Sequence, residues 1–243
     1  TAGLAGALLD LPPEQVCVSS TGVIGVPMPM DRLKAGVRQC VASLSGAGSA
    51  DAARAIMTTD TVPKEIAVEV ALERGVIRIG GIAKGAGMIA PNMATMLCFL
   101  TTDADIAAPH LQELLKTAVG RSFNCICVDN DMSTNDTVLC LANGASTADT
   151  LEPGTSACNR FEEALTEVCR ELAQSLVRDG EGATKFIEIE VTGAADDAAA
   201  RQMAGSVARS QLCKTAFYGQ DANWGRIACA VGYSGVLFNP EDL

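Results

Sequence analysis

Apolar residues recur at three- and four-residue spacing through residues 30–44, 108–119, 157–177 and 196–211, which predicts four amphipathic helices, the third being the longest. Residues 1–10 read as the later part of another such helix, without a start signal. Between these stretches lie short apolar runs, several with Val and Ile at alternate positions, as strands require. They predict strands at 15–19, 55–59, 65–72, 76–83, 95–101, 123–128, 138–142, 185–191, 215–218 and 228–231. The runs 65–72 and 76–83 flank Glu73-Arg74-Gly75, where Gly75 can supply the positive φ of a hairpin turn. Strand and helix patterns alternate from end to end, so the class is mixed α/β (α+β). No repeat or low-complexity linker divides the 243 residues, and a single domain over 1–243 is expected. The chain opens mid-helix and stops at Asn239-Pro240-Glu241-Asp242-Leu243, where another strand would start, which is the pattern of a fragment.

Composition narrows the chemistry. Hydrophobic residues make up 48% and charged residues 19%, a globular balance that argues against long disordered arms. With 18 Lys+Arg against 29 Asp+Glu the formal charge is −11, a field that repels phosphate backbones, so no nucleic-acid partner is expected. No run of 18 apolar residues occurs, so no membrane span is expected. The single histidine, His110, follows Pro109 in the first turn of a predicted helix; it cannot build a multi-His metal site and reads as a surface residue. Ten cysteines are too sparse along this length for a disulfide scaffold. Cys98, Cys140 and Cys229 sit inside apolar runs, as buried thiols in a reducing compartment do, and Cys125 and Cys127 share one face of a predicted strand. No Cys-x-x-Cys pair points to zinc or redox work, and no metal is expected.

The stretch from Gly80 to Leu97 carries most of the chemical signal. Four glycines surround Lys84 between two strands, giving a backbone that can approach a ligand and a cation to meet it, but the Walker spacing of a phosphate loop is absent. Thr95 follows Ala94 at a strand start. Were the Ala94–Thr95 bond cleaved, the freed α-amine would be a base for the Thr95 hydroxyl, and no histidine would be needed. Taken alone, Thr95 also reads as an ordinary β-branched strand residue. Three further segments accompany it. Ser19-Ser20-Thr21-Gly22-Val23-Ile24-Gly25 follows a strand and reads either as an oxyanion hole or as a plain turn. Thr58-Thr59-Asp60-Thr61-Val62-Pro63-Lys64 and Asp179-Gly180-Glu181-Gly182-Ala183-Thr184-Lys185 place hydroxyls and charges at element ends, where solvated loops are the plainer reading.

These segments, with Ser133-Thr134-Asn135-Asp136-Thr137 and Asp221-Ala222-Asn223-Trp224-Gly225-Arg226, together resemble the ornithine acetyltransferase family, the bifunctional glutamate N-acetyltransferases of arginine biosynthesis. The resemblance runs through nearly the whole chain. It implies an αββα-type layered sandwich, here truncated at both ends, and self-cleavage between Ala94 and Thr95 into parts 1–94 and 95–243. It further implies Thr95 as the nucleophile that takes the acetyl group, Thr21 and Gly22 as the oxyanion hole, and Thr61, Lys84, Thr95 and Glu181 as substrate contacts. The implied reaction moves acetyl from N-acetylornithine to glutamate without a cofactor, with acetyl-CoA as an optional second donor. The implied assembly is a heterotetramer of two copies of each cleaved chain, in the cytoplasm or an organelle. A self-cleaving amidase or aminopeptidase-like hydrolase, and an uncleaved amino-acid-binding homologue, stand as alternatives. Two departures are expected to matter: the family's C-terminal Asn and Ser or Thr substrate contacts have no counterpart before Leu243, and Asp129-Asn130-Asp131 replaces an Asp-Gly-Asp turn, which Asn tolerates through positive φ. Asp129, Asp131 and Ser133 alternate like part of a calcium loop but lack its glycine and distal glutamate.

Overall fold

A β-hairpin and the long helix laid across it organise the chain, which a computed structural model describes over residues 1–90 and 96–243. Strands β1 (Lys64–Ala71) and β2 (Val76–Lys84) pair antiparallel, with Lys64 opposite Ala83 and Val68 opposite Ile79. The predicted turn closes them: Gly75 has φ +82° and its carbonyl accepts from Leu72 N at 3.1 Å. β3 (Leu97–Thr102) adds antiparallel to β2, and β4 (Thr137–Ala142) adds parallel to β3, completing a sheet of order β1-β2-β3-β4. The parallel step needs a crossover, and α4 (Ala108–Gly120) supplies it, with Pro109 in its first turn where no N–H is required.

Helix α5 (Ser156–Arg178) begins at the N-cap Thr155, whose hydroxyl accepts from Cys158 N at 3.2 Å. Its buried stripe is Phe161, Leu165, Val168, Cys169, Leu172 and Leu176, each at most 1% exposed, packed on the inward residues Ile77, Ile79 and Leu100 of the sheet. Burial of such side chains contributes about 1.5–3 kcal/mol each, so this face is the main source of cohesion. Gly81 lets the helix come close. A Cβ there would lie 2.7 Å from Leu100 Cδ2 and 2.9 Å from Leu172 Cδ1. The opposite sheet face is open at β1, where Glu65, Ala67, Glu69 and Ala71 are exposed, and Leu141 of β4 is exposed too.

The mixed α/β class is as expected, with one helix layer on one sheet among the described residues. A second, smaller core joins α6 (Asp197–Arg209), α7 (Gln211–Tyr218) and α8 (Trp224–Gly232) through Met203, Val207, Cys213, Ala230 and Val231. Two expected strands are therefore helical. The apolar runs 215–218 and 228–231 were too short to show a period, and the start signals that decide them are N-caps: Ser210 Oγ accepts from Cys213 N and Asn223 Oδ1 from Arg226 N. Residues 185–191 form no strand; Ile189 and Val191 instead pack on the α6–α8 core. In place of strands, residues 15–19 begin on the last residue of the 3₁₀ turn Pro13–Gln15, 123–128 open with the 3₁₀ turn Phe123–Cys125, and 55–59 start on the last residue of a short helix α3 (Ser49–Ala55).

Helices α1 (Ala2–Leu9) and α2 (Met30–Ala42) pack on each other. Three side-chain expectations also shift. His110 is half-buried where α4 meets α5, with Nε2 3.5 Å from Cys158 Sγ, because an N-terminal turn still faces the neighbouring helix. Cys229 is exposed on α8, and Cys125 is exposed while Cys127 is half-buried.

Candidate active site

Three chain segments meet at one end of the hairpin, for reasons of register. Pairing of Lys64 with Ala83 puts the start of β1 beside the end of β2, so Lys64 and Lys84 become neighbours. Helix α5 crosses β1 and β2 and delivers Asp179, its C-cap residue, to the same end. The loop from Thr58 to Pro63 closes over this point.

The two lysines are nearly fully buried but differ in what they touch. Lys64 Nζ donates to Asp60 Oδ1 at 2.7 Å, Asp179 Oδ2 at 2.6 Å and Val62 O at 3.3 Å, which uses all three of its protons. Lys84 Nζ donates to Thr58 Oγ1 at 2.7 Å, and its next oxygen is Asp60 Oδ2 at 3.9 Å. Of the two buried lysines, Lys84 is thus the one with donors left for a ligand among the described residues. Burial pushes its pKa down, and the carboxylates of Asp60 and Glu181 oppose that. Burial alone would raise the Asp60 carboxyl. The Gly85 N–H, at 2.7 Å, and Lys64 hold it below the usual carboxylate value.

Thr61 is fixed by Asp179: its N–H donates to Oδ2 at 2.9 Å and its hydroxyl donates to Oδ1. With its proton committed, the Thr61 oxygen faces outward as an acceptor. Glu181 N donates to Ala86 O at 2.7 Å, and the Glu181 carboxylate lies against Gly87, where a Cβ would come within 3.0 Å of it. The Gly85–Ile89 segment is also held by Asp129, whose carboxylate accepts from Met88 N at 2.6 Å and Ile89 N at 2.9 Å. The Asn130 beside it has φ +72°, the conformation its turn demanded. Beyond Ala90 the next described residue, Met96, donates its N–H to Asp136 Oδ1 at 3.0 Å. Carboxylates therefore pin the chain on both sides of residues 91–95. Burial raises the Asp136 carboxyl to about 6. A cleft of about 390 Å³ opens beside Glu181, walled by Val128, Val177, Lys185, Lys214 and Tyr218.

Of the expected site residues, Lys84 and Glu181 are close enough for their charges to interact, and Thr61 joins the same network through Asp179, Lys64 and Asp60. Ala94 and Thr95 lie outside the described residues. Thr21 is half-buried and Gly22 exposed between the first 3₁₀ turn and α2; among the described residues the hydrogen bonds of residues 1–44 stay within that stretch, and none reaches Lys84, Thr61 or Glu181. Asp60, Lys64 and Asp179, whose segments read from the sequence as solvated loops, instead have buried side chains paired with one another. The i,i+4 spacing of Asp60 and Lys64 was the available signal, but it does not reveal burial. Among the described residues, no group of three or more His, Cys, Asp or Glu is placed to hold a metal ion, and no helix is long and apolar enough to cross a membrane.

The profile of the ArgJ family matches residues 1–243, the whole chain. The chain belongs to the ArgJ family. It is 54% identical over 244 residues to the arginine biosynthesis bifunctional protein ArgJ of Thermosynechococcus vestitus, covering 100% of this chain and 58% of that protein. It is 52% identical over 241 residues to the glutamate N-acetyltransferase of Methanocaldococcus jannaschii, covering 98% and 59% respectively. The crystal structure of the arginine biosynthesis bifunctional protein ArgJ from Bacillus halodurans superposes with a TM-score of 0.55 at 50% identity, over 57% of this chain and 65% of that one. The ArgJ-family chain thus spans about three fifths of the length of the curated relatives it matches.

Proposed function

We propose that this protein transfers the acetyl group of N-acetylornithine to glutamate through an acetyl-threonine formed at Thr95, within arginine biosynthesis. The observation that carries the reading is the meeting of Lys84 and Glu181 at the glycine loop that precedes Ala94–Thr95 in the chain, with Thr61 tied to the same cluster through Asp179, Lys64 and Asp60. An amino-acid ligand has a carboxylate and, in ornithine, a distant ammonium, and the cluster offers a cation with spare donors and a carboxylate to meet them.

Cleavage at Ala94–Thr95 frees the α-amine of Thr95, which takes the proton from the Thr95 hydroxyl as its oxygen attacks the acetyl carbonyl. Thr21 and Gly22 donate hydrogen bonds to the oxyanion. As the C–N bond breaks, the departing ornithine amine receives that proton. Glutamate then enters, its amine attacks the acetyl-threonine, and the hydroxyl is restored with acetylglutamate released. Lys84 binds the substrate α-carboxylate and Glu181 the side-chain ammonium, while Thr61 accepts from a substrate N–H. The route uses no metal or organic cofactor, and acetyl-CoA serves as an optional second donor. The cleaved parts assemble as a heterotetramer of two copies of each in a reducing compartment, the cytoplasm, which suits ten free cysteines.

The test is Thr95→Ala in the full-length protein. Intact-mass measurement is expected to show one uncleaved chain and rate assays no transfer, whereas efficient cleavage of the variant overturns the assignment. Turnover of acetylornithine by the unmutated protein is expected to require glutamate; equal turnover without it would make the enzyme a hydrolase.

A further inference from the structure

Lys84 is accompanied by more buried charge than a substrate contact needs. Among the described residues four groups face it: Thr58 and Asp60 from the loop before β1, Lys64 at the start of β1, and Glu181 from the loop after α5. Asp60 is the innermost. Its side chain is 0% exposed, and its two oxygens do four things. Oδ1 accepts from Lys64 Nζ and from Gly85 N, both at 2.7 Å; Oδ2 accepts from Thr58 N at 3.1 Å and stands 3.9 Å from Lys84 Nζ. Thr58 is thereby clamped so that its hydroxyl meets Lys84 at 2.7 Å.

The division of counter-charges is uneven. Lys64 has a second carboxylate, Asp179, at 2.6 Å, whereas the other carboxylate near Lys84 is Glu181, which is exposed. Loss of the Asp60 charge would leave two buried ammonium groups repelling each other with only Lys64 still directly paired. The burden falls on Lys84, and a buried lysine without a counter-charge gives up its proton.

We propose that Asp60 is the positioning residue of this site: it keeps the Lys84 ammonium charged and aimed at the substrate carboxylate, and fixes the Gly85 turn from which Lys84 projects. The inference rests on the reading of Lys84 as the carboxylate partner. The Asp60 side chain has no exposed surface with which to meet a ligand. It acts through Lys84, Thr58 and Gly85.

The test compares Asp60→Asn, Lys84→Met and the unmutated full-length protein, using equal amounts of fully cleaved enzyme with acetylornithine as the varied substrate. For Asp60→Asn the ratio of its KM to the unmutated KM is expected to rise with pH, reaching about tenfold at the alkaline end of the profile, and to fall toward unity at the acidic end, where Lys84 regains its proton. Its kcat ratio should stay level over that range. Lys84→Met is expected to raise KM at every pH, and adding Asp60→Asn to it should produce no further pH dependence. A KM ratio for Asp60→Asn that does not change with pH, alongside a raised KM for Lys84→Met, overturns the role of Asp60 and leaves Lys84 as the carboxylate partner. An unchanged KM for Lys84→Met overturns that reading of Lys84, and the proposal with it. If Asp60→Asn does not fold, the double variant Asp60→Asn/Lys64→Met removes one buried charge of each sign and is read against the same pH-dependent ratio, a flat ratio again being the overturning result.

Discussion

Replacing Asp179 with Ala removes the side chain that ties the end of α5 to the loop before β1. Its carboxylate accepts from Thr61 N at 2.9 Å, from the Thr61 hydroxyl and from Lys64 Nζ at 2.6 Å; the Lys64 side chain is 1% exposed, so the ammonium left behind is not rehydrated unless the loop opens, whereas the donors of the exposed Thr61 turn to water. Breaking a buried ion pair costs about 3–5 kcal/mol. Lys64 keeps Asp60 at 2.7 Å, which places the expected loss at the lower end, about 3 kcal/mol. Asp179→Asn retains an acceptor oxygen for the Thr61 N–H and should lose less, about 1–2 kcal/mol. Urea denaturation of the full-length protein, Asp179→Ala, Lys64→Met and the double variant gives a coupling energy, expected at about 1–3 kcal/mol for groups in direct contact. The pH dependence has a defined sign. Burial would raise the Asp179 carboxyl, but hydrogen bonds from Lys64 and Thr61 outweigh it and hold the folded value below the unfolded one. The stabilisation is therefore present above the unfolded pKa, near about 4, and the gap between Asp179→Ala and the unmutated protein should close as pH falls below that. A loss under about 1 kcal/mol with no measurable coupling to Lys64 would refute the reasoning, because it would mean the network is hydrated and does not hold the loop.

Two other outcomes follow from the packing and charge. Gly81→Ala puts a methyl 2.7 Å from Leu100 Cδ2 and 2.9 Å from Leu172 Cδ1, so it should destabilise by about 1–3 kcal/mol; an unchanged melting temperature would show that α5 can lift off the sheet at little cost. Asp136 has a folded carboxyl value of about 6, above that of the unfolded chain, so the folded state binds protons more strongly and stability falls as pH rises from about 4 to about 6. Asp136→Asn keeps an acceptor for Met96 N and abolishes that slope, with a gain of up to about 1 kcal/mol at neutral pH once the side chain's partial exposure is allowed for; an unaltered slope in denaturation at the two pH values would count against it.

The repeating patterns of the chain were sufficient for the elements whose period is long or whose partner is adjacent. Helix α5 carries its stripe over 23 residues, and β1 and β2 alternate on either side of a three-residue turn, so their faces and their pairing can both be read locally. Glycines drew attention to Lys84 and Glu181, but the pattern alone left them as a cation in a loop and a solvated charge, and the substrate roles came only from the family resemblance. Short apolar runs were beyond that reach: Thr215–Tyr218 and Ala228–Val231 are helical because Ser210 and Asn223 cap them and because they bury Ala216, Ala230 and Val231. The alternating residues 185–191 show the converse, since a strand pattern specifies a face but not the strand that will pair with it. Tertiary structure alone decided which of two lysines keeps unspent donors among the described residues. Lys64 and Lys84 are 20 positions apart and chemically identical in sequence, and only the hairpin register together with the reach of α5 gives Lys64 both Asp60 and Asp179 while leaving Lys84 with Thr58 and unspent donors. The physical reason is that burial and counter-charge depend on residues more than 100 positions away, whose arrival is set by packing and leaves no local signature.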